Sequence, residues 1–228
     1  MEPLQFIFKY AICYAVFFLL SFISKLNGGH KLFDQKGAVS NTGALTGLQV
    51  AGILWLGVIP ANIFDQSFSS IVIGNGFPGA LKLFVLVLLT INAVVIAATH
   101  AESEFRRIES QKTAAVFLTK GFMYRYFTVR ILFLIAYEAW FRGYLLRDCT
   151  ISFGIIPAVL INVFLYMLVH CFSDRNEMWG CVPLGIVLCT MSIWFGGAWP
   201  AIVIHLALAI TYEFKLSEKC LHLKNSFA

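Results

Sequence analysis

Hydrophobic residues in this chain come in long runs rather than in the alternation of a half-buried strand. Seven runs stand out: Leu4 to Ser24, Ala44 to Phe64, Pro78 to Ala98, Phe122 to Leu146, Phe153 to Phe172, Met178 to Trp194 and Trp199 to Phe214. A helix rises about 1.5 Å per residue, so about 20 apolar residues cross the hydrocarbon core of a bilayer. The last two runs are the shortest. The Gly196 to Pro200 break between them reads as a tight turn or a re-entrant corner. Glu102 to Leu118 is amphipathic instead: Glu102 and Arg106 are one helical turn apart, and Phe105 and Ile108 share an apolar face. That pattern predicts a helix lying at the membrane interface, and its charges oppose an eighth crossing. The fold class is therefore all-α, a polytopic membrane helical bundle of about seven transmembrane helices, eight if that segment spans. It divides into residues 1–121 (three transmembrane helices and a cytoplasmic interfacial loop), 122–214 (a four-helix core) and 215–228 (a cytoplasmic tail).

Composition sharpens this picture. Of 228 residues, 59% are hydrophobic and only 13% charged, with mean hydropathy +0.80. A soluble domain carries about 25% charged residues, so a water-exposed globule and a disordered chain are both excluded. The net charge of +5 points to membrane orientation rather than to nucleic acid, because the cations sort by side. Lys25, Lys31 and Lys36 follow the first run; Arg106, Arg107, Lys112 and Lys120 follow the third. Arg175 follows the fifth, and Lys215, Lys219 and Lys224 follow the seventh, while the opposite side has only Arg147. The positive-inside rule then places the N-terminus outside and the C-terminus in the cytoplasm, here of a bacterial inner membrane. The first run has Glu2 before any base, Lys9 within it and no small-residue cleavage site, so it is expected to remain in the mature protein. Lys9 and Lys82 fall near outer helix ends, where their stems let them snorkel. The six cysteines show no paired spacing and read as small hydrophobes. No nucleotide-binding motif or internal repeat is visible.

Against that background, four ionisable residues at membrane depth are candidates for chemistry: Glu138 and Arg142 in the fourth run, His170 in the fifth and His205 in the seventh. Such groups are costly in lipid and face a bundle interior or a wet cavity. Glu138 and Arg142 share a helix face and are placed to pair. A carboxylate with two imidazoles on three helices makes a water-activating site. The same residue types serve as a self-neutralising structural pair, as a proton relay in a small transporter, or as a zinc donor set. By helix rise, Glu138 lies about 16 Å and His170 about 25 Å from the outer turn between their helices, so bending or tilt must bring them together.

Tyr137 to Leu146, with Glu138, Arg142 and Gly143, resembles the EExxxRG motif of the CPBP family, which includes type II CAAX prenyl endopeptidases, bacteriocin-processing enzymes and Abi proteins. Tyr166 to His170 resembles the family's FxxxH motif. Gly196, Gly197, Trp199, Pro200 and His205 resemble its last helix pair. The resemblance spans Phe122 to about Phe214. It implies an intramembrane endopeptidase that cleaves a peptide or membrane-protein substrate through glutamate-activated water, with no cofactor. In that scheme Glu138 is the base, Arg142 its orienting partner, and His170 and His205 position water and stabilise the oxyanion. Two positions depart from the family pattern. Tyr137 stands where the first glutamate belongs, and Ala209 replaces a polar residue one turn beyond the last histidine. These departures support an alternative in which the chain is a non-catalytic membrane scaffold or immunity protein.

Overall fold

The structure is a computed structural model and describes residues 3–29, 31–34, 37–38, 41–64, 66–74, 78–110, 119–172 and 175–226. The first helix is α1 (Pro3–Leu26). A two-residue hairpin, β1 (Phe33–Asp34) with β2 (Gly37–Ala38), follows it. Next come α2 (Thr42–Gly52), a π-helical stretch Ile53–Val58, α3 (Ile59–Ile63) and the short α4 (Phe68–Ile73). Then α5 (Ala80–Ser110), α6 (Lys120–Glu138), a second π-helical stretch Ala139–Leu145 and α7 (Leu146–Phe153). The chain closes with α8 (Ile155–Val169), a 3-10 turn His170–Phe172, α9 (Arg175–Phe195) and α10 (Trp199–Ser226). Local chemistry sets several of these boundaries. Asn41, Ser67 and Thr119 cap α2, α4 and α6 by accepting from the backbone N–H three residues on. Gly154, at φ 85°, turns the chain between α7 and α8.

Among the described residues, six helices are long and apolar enough to cross a membrane: Phe8–Leu26, Thr42–Ile63, Ala80–Glu109, Ile155–Phe172, Arg175–Phe195 and Trp199–Leu221. They overlap six of the seven expected runs. The seventh run, Phe122 to Leu146, lies in the continuous helical passage Lys120–Phe153, which carries Arg125, Arg130, Glu138 and Arg142. Glu138 and Arg142 are tolerable there because every residue from Ala136 to Leu146 is buried within the bundle, while Arg125 is exposed and Arg130 half-buried. By contrast Phe84, Val87, Ile91 and Val95 of α5 are more than half exposed, as residues facing lipid are.

The expected interfacial helix at Glu102 to Leu118 is not separate. α5 runs unbroken through Glu102–Ser110, while residues 111–118, together with Lys36, lie outside the described residues. Nothing between Ala98 and Ser110 breaks a helix, and partners favour its extension. Arg106 Nε is 3.6 Å from Glu102, Arg107 pairs with Glu104, and Lys219 of α10 pairs with Glu102. The Gly196 break is a tight turn under α4, with the Ala198 N–H donating to Ile71 O at 3.1 Å. Lys82 does more than snorkel: its Nζ donates to Trp194 O at 2.5 Å, capping the end of α9.

Candidate active site

Four helical segments meet at the charged residues. Close approach of α4 depends on Gly143, where a Cβ would collide with Ile71 Cγ2. The π-helical stretch Ala139–Leu145 directly follows Glu138 and contains Arg142. Such widened turns alter the side-chain register and recur at functional sites. Asn162 of α8 secures this one, its Nδ2 donating to Phe141 O at 2.5 Å while Cys189 Sγ of α9 donates to Asn162 Oδ1 at 3.3 Å.

The structure brings Glu138, Arg142 and His205 into one buried cluster. His205 Nδ1 lies 2.5 Å from Glu138 Oε1, and Arg142 Nε lies 3.4 Å from Glu138 Oε2. Glu138 is 0% exposed, Arg142 2% and His205 7%. The Arg142 guanidinium stacks over the Tyr166 ring, 4.3 Å from its centroid. Tyr166 also meets both imidazoles, edge-on to His205 at 6.2 Å and tilted against His170 at 4.8 Å. His170 makes no hydrogen bond to the other three among the described residues; its Nδ1 lies 3.0 Å from Tyr166 O.

Hydrogen-bond chemistry fixes the tautomers. A carboxylate and a carbonyl only accept, so Nδ1 carries the proton in each neutral histidine, and Nε2 is left with a lone pair.

His170 and His205 line one cavity of about 90 Å³. Tyr137 lines it with them, against Phe17, Leu48, Phe133, Leu134 and Val169. A single water needs only about 10–15 Å³ on this measure, so several fit. Lys31 and Glu177 also line it and pair with each other, at 24% and 39% side-chain exposure. They mark the mouth; Tyr137, 3% exposed, lies deep within. Glu138 and Arg142 do not line the cavity. Among the described residues, no three His, Cys, Asp or Glu side chains converge as a metal-binding group.

A second polar cluster went unnoticed in the sequence. Arg130 Nη2 lies 2.8 Å from Glu213 Oε1, and Tyr126 OH donates to Glu213 Oε2 at 3.0 Å. Arg130 also lines the cavity. The signal was available: Arg130 precedes Glu138 by eight residues, and Glu213 follows His205 by eight.

Residues 119–211 match the family model of the type II CAAX prenyl endopeptidase Rce1-like proteins, a protease family. The match covers 93 of 228 residues and includes Glu138, Arg142, His170 and His205. It agrees with the CPBP-type resemblance of the motifs and leaves the first three crossings unassigned. No curated protein and no solved structure matches the chain.

Proposed function

We propose that this protein is an intramembrane endopeptidase in which His205, backed by Glu138, activates a water in the cavity. The observation that carries this reading is the Glu138–His205 hydrogen bond of 2.5 Å, beside a cavity that His205 lines and Glu138 does not. In this reading the base is the His205 imidazole rather than the glutamate. Glu138 holds the Nδ1 proton and stabilises the imidazolium, and Arg142 keeps Glu138 ionised and in place. His205 Nε2 takes a proton as the water oxygen bonds to the scissile carbonyl carbon, whose π electrons move to its oxygen. Collapse breaks the C–N bond, and the proton passes from His205 to the leaving amine. His170 Nε2 serves as a second acceptor that orients the water. In this reading the mouth at Lys31 and Glu177 faces the cytoplasm, on the side of the loop cations.

The test is purified protein in proteoliposomes, offered a prenylated peptide ending in a CAAX sequence and a panel of unprenylated membrane-helix peptides. Wild type is expected to cleave at least one of them. Glu138→Gln and His205→Ala are each expected to lower kcat by at least about 10²-fold, the lower range for loss of acid–base catalysis. Equal cleavage by all three proteins, or none by wild type, refutes the reading. The scaffold alternative has two observations in its favour, Tyr137 in place of a glutamate and Ala209 in place of a polar residue. It predicts a bound partner that survives Glu138→Gln and an absence of proteolysis.

A further inference from the structure

The geometry points to the Tyr137 hydroxyl as the oxyanion donor of this site. The inference rests on the protease reading above and concerns what stabilises the tetrahedral intermediate. Water attack places a negative charge on the former carbonyl oxygen, which needs a donor within hydrogen-bond reach. The two histidines do not supply one in their neutral form. His205 Nδ1 donates to Glu138 and His170 Nδ1 donates to Tyr166 O, so each presents its Nε2 as an acceptor. Of the cations lining the cavity, Lys31 pairs with Glu177, and Arg130 is held through Nη2 by Glu213, with its Nε buried and unpartnered among the described residues. Ala209, on the same helix face as His205, has no donor.

Tyr137 meets the requirement. Its residue is 3% exposed, it lines the cavity with both histidines, and its ring stands edge-on to His205 with centroids 6.3 Å apart. Its hydroxyl has no hydrogen-bond partner among the described residues. With no protein partner, that hydroxyl is free to donate to a water or to a substrate oxygen in the cavity. A phenol is also a neutral donor at pH 7, which suits a site that must bind a neutral carbonyl first and an anion later. The position at which the family motif has glutamate thus carries a different task in this chain. The glutamate that remains supports the base, and the tyrosine supports the oxyanion.

The experiment compares wild type, Tyr137→Phe, Ser21→Ala, Glu138→Gln and His205→Ala on the best substrate of the panel above. A donor holds the developing oxyanion far more strongly than the neutral carbonyl, so Tyr137→Phe is expected to lower kcat by about 10²–10³-fold with little change in KM. The reduction is expected to be uniform across the neutral pH range, because the phenol does not titrate there. The thermal midpoint in detergent is expected to hold or rise, since the lost hydroxyl has no partner in the fold. If Glu138→Gln and His205→Ala lose activity while Tyr137→Phe stays within twofold of wild type, the oxyanion assignment falls and the protease reading stands. A kcat loss in Ser21→Ala alone, the other hydroxyl lining the cavity, transfers the role to α1 and also overturns it. A parallel rise in KM and fall in thermal midpoint shows a packing role instead. If wild type cleaves nothing, both fall together.

Discussion

Arg142 is a buried cation with little conventional support. Its nearest carboxylate atom is at 3.4 Å, and none of its guanidinium nitrogens has a well-formed hydrogen bond among the described residues. What it does have is the face of Tyr166 at 4.3 Å and that of Phe141 at 5.4 Å. A desolvated contact of this kind contributes about 2 kcal/mol, and it needs the ring but not the hydroxyl. Tyr166→Phe is therefore expected to change stability by less than about 1.5 kcal/mol, as volume-conserving core exchanges do. Tyr166→Leu is expected to cost at least about 2 kcal/mol through the lost face. Thermal unfolding in detergent reads both, and equal effects of Phe and Leu would show that the ring does not hold Arg142. Glu138, Arg142 and His205 were legible in the sequence because a charge at membrane depth is conspicuous. Asn162 and Tyr137 were not read as site residues, because neutral polar side chains are common in such helices. Only their partners, or the lack of one, distinguish them.

At the scale of elements, α6 and α10 are joined by two polar rungs. Glu138 meets His205, and Arg130 meets Glu213 eight residues away on both helices. Eight residues of helix span about 12 Å, so two antiparallel helices with equal offsets hold both rungs in register. Arg130 and Glu138 are opposite in charge, which penalises a slipped pairing because the Glu138 carboxylate would then meet that of Glu213. The Arg130–Glu213 side chains are 22% and 10% exposed, so the pair lies between a surface and a buried bridge. A double-mutant cycle of Arg130→Met and Glu213→Gln is expected to give a coupling energy above about 1 kcal/mol, the usual ceiling for surface pairs. A value near zero would mean that packing alone sets the register. The sequence located this register only in part. Apolar runs placed six crossings, and the charged fourth passage followed from the same pattern. The segment after the third run continues α5 as far as Ser110 instead of starting a new helix, because amphipathicity describes a helix face without saying whether the helix is new or continuing. Lys219, on a remote helix, supplies the partner of Glu102 that local pattern does not reveal.

For the whole molecule, the polar contacts separate into two ends. Lys31 with Glu177 and Lys219 with Glu102 gather at one end, with Arg106 and Arg107 close by. Tyr10 and Gln66 converge on Asp148 at the other, at 2.7 and 2.9 Å. The first end holds the cavity mouth. If loop cations mark the cytoplasmic side, the substrate enters from the cytoplasm, and the 3-10 turn His170–Phe172 lies beside the entrance. Cys171, next to His170 in that turn, is the exposed member of the six cysteines; the others are buried. A membrane-impermeant maleimide is therefore expected to label the protein in inside-out vesicles and to leave it unlabelled in intact cells, with Cys171→Ser removing the signal. Labelling of Cys171 in intact cells would invert the orientation and place the mouth outside. A cytoplasmic substrate tail would then be out of reach of His205, even with the Glu138–His205 geometry unchanged.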